Sequence, residues 1–261
     1  MTKSSQPTDL ALASNSNSTW LHGTEVKFDS WVLPIPEPKH KNGMQAHSAI
    51  FFTLSLDYAR GCAEGTEGLV STTIVPGSKV LDLNTCSTED SEAFRLHLLT
   101  KPMAGKNLQY HSASTWRESC KTGFIMKFAP MEEEQDEYAH KYQVAMGPAN
   151  TTVSMLAKGK AWNELQLLTR SNIEDIVQTG ADLGYDCVIT NEVDSLHSDG
   201  IQTYPIMFAL NSSAITSPSW ISFPKKSAEQ LARKQAAKKK AAAKKKERNK
   251  KKQAKAGRKG K

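Results

Sequence analysis

Apolar residues come in short runs divided by polar, glycine- and proline-bearing stretches. Trp20-Leu21 opens the first run, which Gly23 ends. Ile50-Phe51-Phe52-Thr53 is β-branched and aromatic and predicts a strand. Leu56, Ala59 and Ala63 follow at helical spacing, with a stop near Gly65. Residues 68–84 read as two strands around the Pro76-Gly77 turn. Ser87 and Asp90 have the S-x-x-acid form of a helix start, and the apolar residues behind them fall three and four apart. GFIMKFAP, residues 123–130, predicts a further strand, and residues 131–142 a charged helix. A helix is expected over 172–184, capped by Ser171 or Asn172, with acids in its first turn and Gly184 at its end. YDCVIT (185–190) then reads as a buried strand, 191–200 as a polar, acidic loop, and 201–210 as the last strand. Strands outnumber helices and helices fall between them, so the expected class is α+β.

Outside these runs the chain changes character. Residues 1–18, rich in Ser, Thr, Asn and Gln, predict a disordered leader. Pro34, Pro36 and Pro38 exclude a helix there and favour an extended connection. From Lys225 to Lys261 the composition narrows to Ala, Lys, Arg and Gln, with 18 basic and 2 acidic residues. The whole chain carries +7, so a local +16 in this tail leaves residues 1–224 at −9. A mildly acidic body with a very basic tail needs two explanations. The four cysteines are far apart, with no metal-type spacing, and a disulfide framework is not expected at this length. With no secretory-type leader and no run of ~20 apolar residues, an intracellular location and no membrane span are expected.

Leu21-His22-Gly23-Thr24, the Ala49–Thr53 strand with its helix, the VPGSKVLDL turn and the late Gly184-Tyr185-Asp186 before two strands occur in one order. This arrangement resembles the NAD-dependent ADP-ribosyltransferase superfamily, whose split β core begins with a strand bearing HG-T or HG-S. The resemblance covers about residues 19–84 and 172–216, within a domain spanning 19–224 in which 85–171 is an insertion. It implies NAD as substrate. Cleaving the nicotinamide–ribose bond needs no strong nucleophile, because a neutral ring leaves a cation. An oxocarbenium-like sugar must be stabilised instead, by orientation and preorganised hydrogen bonds.

By the resemblance, His22 holds an adenosine-side ribose hydroxyl, and the backbone of Gly23, followed by Thr24, meets the nicotinamide carboxamide. Phe51 would stack on the nicotinamide where the His-Tyr-Glu branch has a tyrosine, and Thr53 would sit beside it. The glutamate that often heads the late strand is missing: Gln202 is the nearest polar group, with Glu192, Asp194 and Asp199 in the preceding stretch. No Glu-x-Glu pair stands at the last strand, which disfavours arginine modification. Structural readings compete throughout: His22 as the polar end of a strand, one of Phe51 and Phe52 as core, Thr53 as a common strand residue. Trp116-Arg117 reads as packing. The tail is expected to bind nucleic acid or nucleoprotein without sequence preference, through phosphate neutralisation and counterion release. The expected function is mono-ADP-ribosyl transfer to a macromolecular acceptor, which can be a protein. The alternative is a catalytically inactive fold of this type acting as a binding module through its tail.

Overall fold

The computed structural model describes residues 18–24, 27–33, 47–62, 68–146, 155–194 and 202–221. The expected leader up to residue 17, the proline-rich stretch 34–38 and the basic tail lie outside the described residues. The chain divides into two units, Met1–Ile221 and Ser222–Lys261, and every described residue falls in the first.

Among the described residues seven strands form one mixed sheet: β1 (Trp20–Gly23), β2 (Ile50–Thr53), β3 (Leu69–Thr72), β4 (Val80–Asp82), β5 (Cys187–Asp194), β6 (Gln202–Ala209) and β7 (Ser219–Trp220). Their order is β4-β5-β6-β2-β1-β3-β7, with β4 and β5 parallel and the other pairs antiparallel. The helices are α1 (Leu56–Cys62), α2 (Thr88–Leu98), α3 (Ala113–Thr122), α4 (Gln135–Met146) and α5 (Met155–Asp182). The class is thus α+β. β3 and β4 flank the Pro76-Gly77 turn, where Gly77 has φ 89°, yet they do not form a hairpin. Four other strands separate them in the sheet.

Local signals hold where the cause is local. Ser87 caps α2: its Oγ accepts from the Asp90 N–H at 3.0 Å, and its hydroxyl donates back to the Asp90 carboxylate at 2.7 Å. Such a cap contributes about 1 kcal/mol. α5 ends at Asp182 with Gly184 at φ 71°, the left-handed turn that a side chain resists.

Three expectations are corrected. Residues 123–130 contain a 3-10 turn, Phe124–Met126, rather than a strand, because Gly123 (φ 80°) ends α3 and turns the chain. A Cβ at Gly123 would lie 2.4 Å from the Val193 nitrogen, so α3 can end against β5 only through glycine. Residues 191–194 extend β5 instead of opening a loop, since all eight residues of β5 pair with β6. The third concerns residues 171–172, which lie inside the 28-residue α5 and do not cap it. Asn172 is fully buried and bonds the Tyr110 hydroxyl and Asn107, while Asp175 accepts from the backbone N–H groups of Met103 and Ala104. The acids expected to favour a helix start therefore hold other segments onto α5.

Residues 85–171 are no appendage. Phe94, Leu98, Tyr110, Trp116, Ile125 and Met126 build the main core with Leu81, Val188 and Phe208 of the sheet. A second core lies on the other face, where Trp20, Phe52, Ile189 and Met207 meet Ile74, Ala214 and Ile215.

Candidate functional site

β1 pairs with β3 through four consecutive residues, Trp20–Gly23 against Thr72–Leu69. β2 pairs with β6 through four as well, Ile50–Thr53 against Ala209–Ile206. Between β1 and β2 there is a single register pair, Leu21 with Thr53. The sheet is therefore two halves, β4-β5-β6-β2 and β1-β3-β7, joined at one point. The strands bearing His22, Phe51 with Thr53, and Gln202 are consecutive neighbours.

His22 sits where the halves part. Its Nδ1 lies 2.8 Å from the Phe51 carbonyl, at the level where the ladder would otherwise continue. Its ring is surrounded by Phe28, Trp31 and Phe52, with centroids 5.6–6.4 Å away. Burial lowers the imidazole pKa, and the Phe51 carbonyl only partly offsets this. The ring is therefore neutral at pH 7. A carbonyl can only accept, so the proton is on Nδ1 and Nε2 is left as an acceptor. That is the tautomer a ribose hydroxyl donor needs. Thr24 continues β1 toward β3, its N–H donating to the Gly68 carbonyl at 2.8 Å. A Cβ at Gly68 would collide with the Thr24 carbonyl at 1.7 Å.

The other expected residues do not gather around this imidazole. Side chains alternate along a strand, so His22 shares a face with Phe52 while Phe51 and Thr53 point to the opposite one. The Phe51 ring packs against Phe208 and His47 at 4.8 Å each, and it reaches His22 only through its carbonyl. Thr53 is buried; its hydroxyl donates to the Pro205 carbonyl and accepts from the Ser55 N–H, shaping the turn into α1. Gln202 pairs with Asp194, four residues beyond the Ile206 partner of Thr53, or about 13 Å along the strand. Its Oε1 accepts from the Tyr204 hydroxyl. Trp116 is packing: its indole N–H donates to the Ser91 hydroxyl at 3.0 Å inside the core.

The sequence reading named Glu192 as a stand-in acid but missed the cluster to which it belongs, beyond the end of β2. Glu192 stands opposite Tyr204 in the β5–β6 ladder, and its carboxylate accepts from the Tyr58 hydroxyl at 2.6 Å. The Tyr58 and Tyr204 rings stack with centroids 5.2 Å apart and planes at 30°. Two residues away on the same face, the Thr190 hydroxyl is fully buried and has no hydrogen-bond partner. Tyr58 lies three positions after Ser55, whose Oγ accepts its N–H, so a tyrosine in the first turn of α1 was a readable signal. Its pairing with the Glu192 carboxylate was not, because residues 191–194 look like loop. Among the described residues no group of three or more His, Cys, Asp or Glu side chains is arranged to hold a metal ion.

Comparison of the chain with protein-family models, curated proteins and solved structures gives no match.

Proposed function

We propose that the body binds NAD at the parting of β1 and β2 and cleaves its nicotinamide–ribose bond, transferring ADP-ribose to a macromolecular acceptor. The observation that carries this reading is the one-residue joint at Leu21 and Thr53, with a neutral His22 imidazole held across it by the Phe51 carbonyl. His22 accepts a ribose hydroxyl at Nε2, and Gly23, having no side chain, lets a planar amide approach its backbone. Glu192 carries the negative charge that Gln202 lacks, but it lies on the Thr53 face of the sheet, opposite His22, so it meets the same substrate only where that substrate passes the end of β2. A carboxylate near an oxocarbenium-like sugar stabilises it electrostatically. The tail, at +16 over 37 residues, concentrates the body on nucleic acid or nucleoprotein.

A second reading is a binding module without turnover. It is favoured by the internal engagement of both candidate groups, Glu192 by Tyr58 and Gln202 by Tyr204. Incubation with NAD labelled in the nicotinamide ring separates the two. Release that disappears in His22→Ala supports transfer chemistry. Saturable NAD binding without release points to the module, and absence of both rejects an NAD site.

A further inference from the structure

β4 is the terminal strand of the sheet, and among the described residues it pairs with β5 alone. The Lys79 carbonyl accepts from the N–H groups of Asp186 and Cys187, and the Leu83 N–H donates to the Ile189 carbonyl at 2.9 Å. Alternate residues of a strand turn their amide groups the same way, so 79, 81 and 83 face β5. The N–H and C=O of Val80 therefore face the open edge. A cavity of about 710 Å³ follows that edge. Its floor is β4; the Ile74–Gly77 turn forms one wall, and Cys86, Asp90 and Tyr185 form the other.

The charged side chains lining this groove are one ammonium, Lys79, and two carboxylates, Asp82 and Asp90. The Lys79 ammonium is committed to the Leu183 carbonyl at 3.0 Å and lies 4.7 Å over the Tyr185 ring. Asp82 and Asp90 are the other charged groups that line the groove. The Cys86 thiol titrates high, first from burial and then from Asp90 and Asp82; Tyr185 is raised by burial and then by Asp90 and Cys86. Asp90 is common to both shifts, so the negative charge along the edge is that of Asp82 and Asp90.

We propose that the outer edge of β4 is a docking site for an extended, Lys- or Arg-bearing segment of a partner polypeptide, which joins the sheet as a further strand. Main-chain hydrogen bonds to Val80 give register, and alternate side chains reach the carboxylates of Asp82 and Asp90. No NAD chemistry is involved, so the site stands or falls separately from the proposed transferase activity.

The test uses the full chain and a fluorescein-labelled nonapeptide of alternating valine and arginine, followed by polarisation without NAD. Val80→Pro removes an N–H that faces away from β5, so the sheet keeps its ladder while the edge loses its donor. Expected are saturable binding, a loss of about tenfold or more in Val80→Pro, and about threefold in Asp82→Asn with Asp90→Asn. The same peptide methylated at alternate backbone nitrogens leaves the protein untouched and should also fail to bind. Amide NMR shifts should centre on 79–83. The proposal is overturned if a valine–glutamate peptide binds as well, if the methylated peptide binds unchanged, or if the shifts fall elsewhere.

Discussion

On one face of the sheet, side chains from three helices meet the strands. Phe94, Tyr110 and Trp116 close over Phe51 and Phe208, and the polar atoms enclosed there find partners among themselves: Asn107 donates to Asn172, Asn172 to the Tyr110 hydroxyl, and that hydroxyl to the Ile125 carbonyl. On the other face, shorter pieces of chain do the covering. Trp31, Ile74 and Ile215 pack over Phe52 and Met207, and a histidine takes a place in the aromatic cluster. On the helix face Asn172 of α5 ties these groups into one network, while the Thr190 hydroxyl is left without a partner. On the other face the Thr72 hydroxyl is answered by Thr216, and the one ionisable ring in the aromatic cluster is neutral and spends a nitrogen on a strand carbonyl. A ring held in one tautomer at the joint of two half-sheets suits ligand recognition; a satisfied network suits stability.

That contrast can be broken first on the helix side. Trp116→Ala removes a buried indole and the N–H that the Ser91 hydroxyl accepts, and should lower the unfolding free energy by about 3–5 kcal/mol, read by denaturant titration. A loss under 1 kcal/mol would mean that this face is not the stability core. His22→Ala should do the reverse. It should lower nicotinamide release about 100-fold, equivalent to about 2.7 kcal/mol, at a smaller cost in stability. Comparable losses of both would make His22 a packing residue.

The pH profile sharpens the same point. The His22 pKa lies below its usual 6.5 because burial opposes the charged form. Activity should be flat at pH 7 and above and should fall only below that value, as Nε2 is protonated. Glu192→Gln keeps shape and the hydrogen bond from Tyr58 while deleting the charge, and about a tenfold drop in turnover with little change in NAD affinity is expected. Unchanged turnover would remove Glu192 from the proposed site.

The smallest effect concerns how residues 47–49 are tied to α5. Burial alone would raise the Glu174 pKa, but hydrogen bonds from His47, Ser48 and Gln178 outweigh it and bring the value down to about 2. The folded value is depressed, so this stabilisation is complete above about 4.5 and is lost as the pH falls toward 2. With allowance for partial exposure, about 1–2 kcal/mol is at stake. Thermal melts of the chain and of Glu174→Gln should converge at pH 2–3; parallel curves would show that Glu174 is not the titrating tie.

Much of this was legible in the chain. Ser87 with Asp90, Pro76-Gly77 and Gly184 announce their structure because cap and turn energetics involve residues only a few positions apart. GFIMKFAP looked like a strand because its composition fits one; Gly123 had to turn there so that α3 could end against Val193, a contact 70 residues distant. Asn191, Glu192 and Asp194 looked like loop because their polarity conceals a strand that only the β6 ladder stabilises. Of the candidate site, the sequence pointed to His22 and to the three strands that meet. It placed Phe51 and Thr53 with His22, which the period of two does not allow once Leu21 is paired with Thr53.

By itself the sequence determined the mixed class, most element positions, the histidine at the end of the first strand and the division between acidic body and basic tail. All of these follow from short-range periodicity, turn chemistry and charge. Tertiary structure alone decided which strands are neighbours, that β1 and β2 touch through one residue pair, which way His22 faces, and that Glu192 meets Tyr58. Register across a sheet is fixed by packing between segments far apart in the chain, and a shift of one residue would send every side chain to the other face.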